Sequence, residues 1–156
     1  LQAAYRECDV ISGEDDVTPQ SCHGGASMEF NTHTVLDGQA SIAMFNEREP
    51  LAPCTIAGSV QAKRSCAFWQ PVWWRRALLP YVSSYETLYK KMGELWDRYT
   101  DDSIRTECFR GIGYTVIVGE PPRQELLGRY CDYANAAKDM KTECVASGEY
   151  LRPRIP

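Results

Sequence analysis

The sequence predicts a mainly α fold, built as an α-solenoid-like array of helix pairs in which each pair is closed by its own disulfide. Three observations carry that expectation. Six of the seven cysteines fall into local pairs, Cys8 with Cys22, Cys54 with Cys66 and Cys131 with Cys144, which stand 14, 12 and 13 positions apart. Each pair brackets a polar loop between segments of helical composition. Trp96 and Cys108 bracket a fourth such loop, with tryptophan where the first cysteine would stand. The first positions of the four copies are spaced 46, 42 and 35 residues apart and the second positions 44, 42 and 36, periods typical of stacked helix pairs. One domain of about four units follows: a truncated unit over 1–30, then 31–82, 83–119 and 120–150, with an extended tail over 151–156. Aspartate follows the first position in three units, at Asp9, Asp97 and Asp132.

The chain has 156 residues, enough for one domain with its own core. Its composition, 44% hydrophobic and 24% charged, is that of a soluble globular protein. A net charge of −4 argues against a nucleic-acid partner, which requires a basic face. No run approaches the roughly 18 apolar residues of a membrane span. Leu1 to Cys8 lacks the basic start and apolar middle of a signal peptide. An export signal is therefore expected to have been removed, or the chain to begin inside a larger protein.

Cysteine usage sets the expected compartment. Three local pairs fit disulfides, which persist outside the reducing cytosol. Structural zinc sites place thiolates two to four residues apart, and the chain has no Cys-x-x-Cys. The same absence excludes covalent haem at Cys22-His23. The expected setting is extracytoplasmic: a periplasm, a cell surface or the exterior. Closing loops of this size contributes about 3 kcal/mol each through the unfolded chain.

In chain order, Leu1 to Cys8 has the i, i+3, i+4, i+7 spacing of a helix end. Asp9 to Ser21 carries an acidic turn without the residue order of a calcium loop. Cys22 to Phe30 opens a helix at a pair of glycines, and Ser41 to Glu49 has helical composition ended by Pro50 and Pro53. Cys66 to Val82 is the most aromatic segment, with Pro71 placed to begin a helix and Pro80 to end it. Ser83 to Trp96 is the clearest helix: Ser83 or Ser84 caps it, and Tyr85, Leu88, Tyr89, Met92, Leu95 and Trp96 form its apolar face. Asp97 to Glu107 is an acidic loop. Tyr114 to Val118 is a strand by propensity and a helix by its place in the repeat, and the repeat is followed here. Pro122 starts a last short helix, Arg123 to Cys131.

CHGGASMEF and CFRGIG resemble the Cys-x-x-Gly and Cys-x-x-Gly-Ile-Gly repeats of predicted secreted bacterial proteins without an established function. The resemblance covers most of the chain in outline. Trp69 replaces the glycine after Cys66, and Ser147 replaces it after Cys144. It implies a repeated helical unit and no chemistry.

For function the main expectation is a non-catalytic subunit that presents a surface to other proteins. The partner-binding candidates are Phe68, Trp69, Trp73, Trp74, Arg75 and Arg76, because aromatic residues on both sides of a helix are hard to bury in a thin array. Tryptophan and arginine also suit a docking surface, or a membrane interface along Phe68–Val82. The first reading of this helix is nevertheless a thick core stripe with the arginines lying over the tryptophan rings, and the docking surface is its alternative. Two other classes remain in view. One is a hydrolase using a carboxylate pair, or Cys108 with His23 or His33. The other is a metal- or haem-associated redox protein using His23, Met28, His33 and Met44. Neither has a spacing that selects it, so no cofactor and no metal are expected. Cys108, lacking a local mate, is expected to be a buried free thiol beside Trp96, with an exposed reactive thiol as the alternative.

Overall fold

Local signals set most helix starts in the computed structural model, which describes residues 1–11, 21–36, 46–119, 124–134 and 138–151. Those residues form seven α-helices, α1 (Gln2–Ile11), α2 (Cys22–Leu36), α3 (Val60–Leu78), α4 (Tyr85–Trp96), α5 (Asp102–Val118), α6 (Leu127–Ala134) and α7 (Lys138–Leu151), and no strand. Ser21 Oγ accepts from the Gly24 amide at the head of α2, Ser59 from Ala62 at α3, and Ser84 from Thr87 at α4. Asp101 accepts from Ser103 and Ile104 at α5. Each cap satisfies amides that the first turn leaves without a partner. The hydrogen bonds from Ser103 hold the Asp101 carboxyl below its ordinary range.

Several boundaries differ from the sequence expectations. The acidic loop after Trp96 ends at Asp101, which caps α5 by accepting from the Ser103 and Ile104 amides. Cys66, Cys108 and Cys144 accordingly lie within helices, each the seventh residue of its own. Pro71 does not begin a helix: it lies inside α3, whose start is fixed by Ser59. An interior proline costs about 3 kcal/mol, and α3 offsets it by burying twelve of its residues, Pro71 among them. Tyr114–Val118 is helical, against its local β-propensity. Thr115, Val116 and Ile117 are buried there, and that burial outweighs the few tenths of a kcal/mol by which β-branched residues disfavour helix. The short helix near Cys131 begins with a 3-10 turn, Gln124–Leu126, and continues to Ala134. Asn46–Glu49 lies in a turn, whereas 41–45, most of the Asp9–Ser21 loop and residues 152–156 lie outside the described residues.

Packing follows the alternation of the chain. Helices α2, α3, α5 and α7 lie side by side in that order, and α4 packs on α6 as a second layer touching α3 and α5. Helix α1 has α2 as its main neighbour. Between the layers lies one core, with Trp73, Trp74, Leu88, Met92, Trp96, Phe109 and Ile112 nearly inaccessible. The Trp74 and Trp96 rings stack at 4.4 Å between centroids.

The Gly-Ile-Gly of CFRGIG acquires a physical reason in this arrangement. Gly111 and Gly113 stand about 200° apart around α5, one toward each flanking helix. A Cβ on Gly111 would overlap the Phe68 carbonyl of α3, and one on Gly113 the Cys144 carbonyl of α7. Gly93 meets the Ala134 carbonyl of α6 in the same way. These glycines let neighbouring backbones touch, which no larger residue permits.

The turn before α3 is fastened from several sides. Gln70, fully buried on α3, donates through Nε2 to the carbonyls of Pro50 (3.1 Å) and Ala52 (2.6 Å). Tyr99 Oη accepts from the Leu51 amide at 2.8 Å, and Arg98 donates to the Glu47 carbonyl at 2.9 Å. A side-chain amide inside the core is worth its desolvation only when its hydrogen bonds are met, and here they hold an irregular segment against α3.

Candidate interaction surface

The disulfides come first, because they determine which sulfur atoms are free to act. Cys8–Cys22, Cys54–Cys66 and Cys131–Cys144 are bonded, with Cα separations of 5.4, 5.5 and 5.8 Å. Cys54, Cys66, Cys131 and Cys144 are inaccessible, whereas Cys22 is exposed. Cys108 is unpaired and fully buried in the same core as Trp96. Burial pushes its thiol well above the ordinary range. It is therefore a small hydrophobe, not a thiolate nucleophile.

The aromatic helix does not present the docking surface expected of it. Phe68, Trp69, Trp73 and Trp74 are all buried, with Trp74 at 0% exposure. Helix α3 lies between α2 and α5 with α4 packed against it, so its tryptophans have neighbours on several sides. Phe68 and Trp69 meet Tyr114 of α5 edge-on, at 5.6 and 5.0 Å. Arg75 is partly buried with its guanidinium 5.7 Å over the Tyr85 ring, leaving Arg76 as the exposed member of the set. Along Phe68–Val82 the exposed large apolar residues are Leu79 and Tyr81. No described helix is long and apolar enough to cross a membrane.

Exposed apolar residues gather elsewhere. Asp9 Oδ1 accepts from Ser59 Oγ at 3.0 Å, which brings the end of α1 to the head of α3. On either side of that bond stand Val10 and Ile11, 85% and 75% exposed, and Val60, 55% exposed, with Ile56 four residues before Val60. These four side chains are the candidate interaction surface. Sequence reasoning missed them because it ended the first helix at Cys8 and placed Val10 and Ile11 in the acidic loop, whereas α1 runs on to Ile11.

Two buried polar groups were also not legible. Glu107 on α5, with its side chain 4% exposed, is gripped by Arg64 of α3 at 2.9 Å and Arg110 of its own helix at 3.0 Å. Arg110 also reaches Glu143 of α7 at 2.7 Å. This chain of alternating charges ties three helices of one layer together, and in sequence Glu107 is an ordinary acid in an acidic stretch. Beneath α1, His23 is buried with Nε2 2.8 Å from Asp9 Oδ1, so Nε2 carries the proton that the carboxylate accepts. The hydrogen bonds from His23 and then Ser59 hold the Asp9 carboxyl below its ordinary range. Tyr5 Oη lies 2.7 Å from Ser27 Oγ, and Ser27 donates to the His23 carbonyl. Burial pushes the Tyr5 phenol up to about 12, which keeps it a donor.

The residues considered for redox chemistry do not form a described site. His23 is buried beneath α1, while His33 is exposed beside Glu29 at 3.1 Å. Met28 is exposed, and Met44 lies outside the described residues. Among the described residues no three histidine, cysteine or acidic side chains converge as a metal site would require. No family model matches the chain, and comparisons with curated proteins and with solved structures return no match either.

Proposed function

We propose that this chain is an extracytoplasmic helical-repeat protein that acts without catalysis, as an interaction or structural subunit of a larger assembly, through the apolar surface of Val10, Ile11, Ile56 and Val60. In this reading the helix pairs α1–α2, the 3-10 turn Cys54–Ile56 with α3, α4–α5, and α6–α7 are four copies of one unit. The common place of Cys66, Cys108 and Cys144 in their helices supports that register. Three formed disulfides fit an oxidising compartment.

The observation that carries the reading is that Val10 and Val60, each next in sequence to a partner of the Asp9–Ser59 hydrogen bond, are both exposed. Scattered single apolar residues on a surface need no explanation, but a contiguous group marks a contact region. The test uses the protein purified without denaturant from its native source. It is expected to elute in an assembly larger than its own monomer. The paired change Val10→Glu and Val60→Glu should release it as a monomer with its unfolding temperature unchanged, since both side chains already stand in water. A monomer at the outset, or an assembly indifferent to the paired change, contradicts the reading.

A further inference from the structure

Of the three disulfides, one differs in every respect that governs exchange with external thiols. Cys54–Cys66 and Cys131–Cys144 have both cysteines at 0% exposure, beyond the reach of an attacking thiolate. In Cys8–Cys22 the first cysteine is buried and the second is exposed at the first residue of α2. Thiol–disulfide exchange needs access to one sulfur along the bond axis, and here Cys22 is the accessible one.

The helix secured by that bond has little else to hold it. Helix α1 buries only Tyr5 and Cys8 of its ten residues. A helix of that length is marginal in water without packing. Among the described residues its remaining ties are the Tyr5 ring, buried in the core cluster with Leu1 packed against it, and three polar bonds: Tyr5 to Ser27, and Asp9 to His23 and Ser59. Water replaces such partners far more readily than it accepts an uncovered apolar core. To the central cluster α1 gives Tyr5 alone, whereas α4, α5, α6 and α7 each give two or more residues.

We propose that Cys8–Cys22 is an exchange site for a dithiol reductant, and that its reduction releases α1 from α2 while the rest of the fold stays intact. One thiolate of the reductant attacks Cys22 Sγ. The S–S bond breaks, Cys8 leaves as a thiolate and takes a proton, and a mixed disulfide forms on Cys22. The second thiol of the reductant then displaces Cys22. Two electrons pass to the protein, giving two cysteine thiols and one oxidised dithiol. Without the covalent bond α1 retains, among the described residues, the single apolar anchor of Tyr5 and the three polar ties. The segment carrying Val10 and Ile11 then parts from Val60, so oxidation state sets whether those residues form one surface.

The experiment treats the native, oxidised protein with increasing dithiothreitol, traps free thiols by alkylation, and follows amide hydrogen exchange in parallel. Cys8 and Cys22 are expected to label at concentrations at least about tenfold below those that label Cys54, Cys66, Cys131 and Cys144. At that stage exchange over residues 2–11 should quicken by at least about tenfold, with α3 to α7 unchanged. Simultaneous loss of all three disulfides, or loss only on global unfolding, overturns the exchange site. Selective reduction with α1 still protected overturns the release. The paired variant Cys8→Ser and Cys22→Ser gives a second reading without reductant: it should match the reduced protein over residues 2–11, and protection equal to the oxidised wild type contradicts the proposal.

Discussion

Gly113→Ala is expected to destabilise the protein by about 3 kcal/mol, the upper end of what overpacking in a well-filled interior costs. The sign is not obvious in advance. Alanine is the better helix former by about 1 kcal/mol, and in an open helix the change would stabilise. At Gly113 the new methyl would occupy the place of the Cys144 carbonyl oxygen. A side chain could rotate away, but a carbonyl within α7 is held by its helix, so α5 and α7 must separate along their contact. Gly111→Ala meets the Phe68 carbonyl and Gly93→Ala the Ala134 carbonyl, and each should behave alike. Gly25 has nothing within 4 Å of its notional Cβ, so Gly25→Ala should stabilise by about 0.5–1 kcal/mol. Urea unfolding at constant slope measures all four. Equal effects at Gly25 and Gly113 would mean that the helices do not touch where they are placed.

Glu107→Ala should cost about 2–3 kcal/mol. Removing one partner from a buried ion pair typically costs 3–5 kcal/mol, because the other charge is left without water or a counter-ion. The figure is discounted here because the side chains of Arg64 and Arg110 are 27% and 40% exposed and can partly rehydrate. Arg110→Ala should cost less, since Glu107 would keep Arg64 and Arg110 begins in more water. The same unfolding measurement separates the two. A larger loss at Arg110 than at Glu107 would place the buried charge on the wrong residue.

What was legible in the sequence was the local pairing of the cysteines. Cysteine spacing gave the pairing and the all-helical class, and it outweighed the local β-propensity of Tyr114–Val118, since a residue's place in a packed layer matters more than a few tenths of a kcal/mol of preference. The buried state of Cys108 followed from its missing mate. The orientation of the aromatic helix was not legible. Trp73 and Trp74 lie on adjacent helical positions and point in different directions, so burying both requires helices on more than one side of α3. The sequence of α3 does not say how many it has. Of the two readings of that helix, core stripe and docking surface, its tryptophans form core, and the most exposed apolar pair, Val10 and Ile11, lies where α1 meets α3, which the sequence separates by about fifty residues. Glu107 and Asp9 were hidden for a similar reason: an acid in an acidic stretch looks solvated until its partners, Arg64 and His23, are brought from other helices.

The claim beneath all of this is that each disulfide closes one helix pair and that the fourth pair closes around Trp96 and a buried thiol. Alkylation of the native protein, followed by digestion without reduction and peptide mapping, tests it most directly. The account predicts three linked peptides, joining Cys8 to Cys22, Cys54 to Cys66 and Cys131 to Cys144. Cys108 should be unlabelled in the native protein and labelled only after denaturation. A bridge between cysteines of different pairs, or rapid labelling of Cys108 without denaturant, would contradict it.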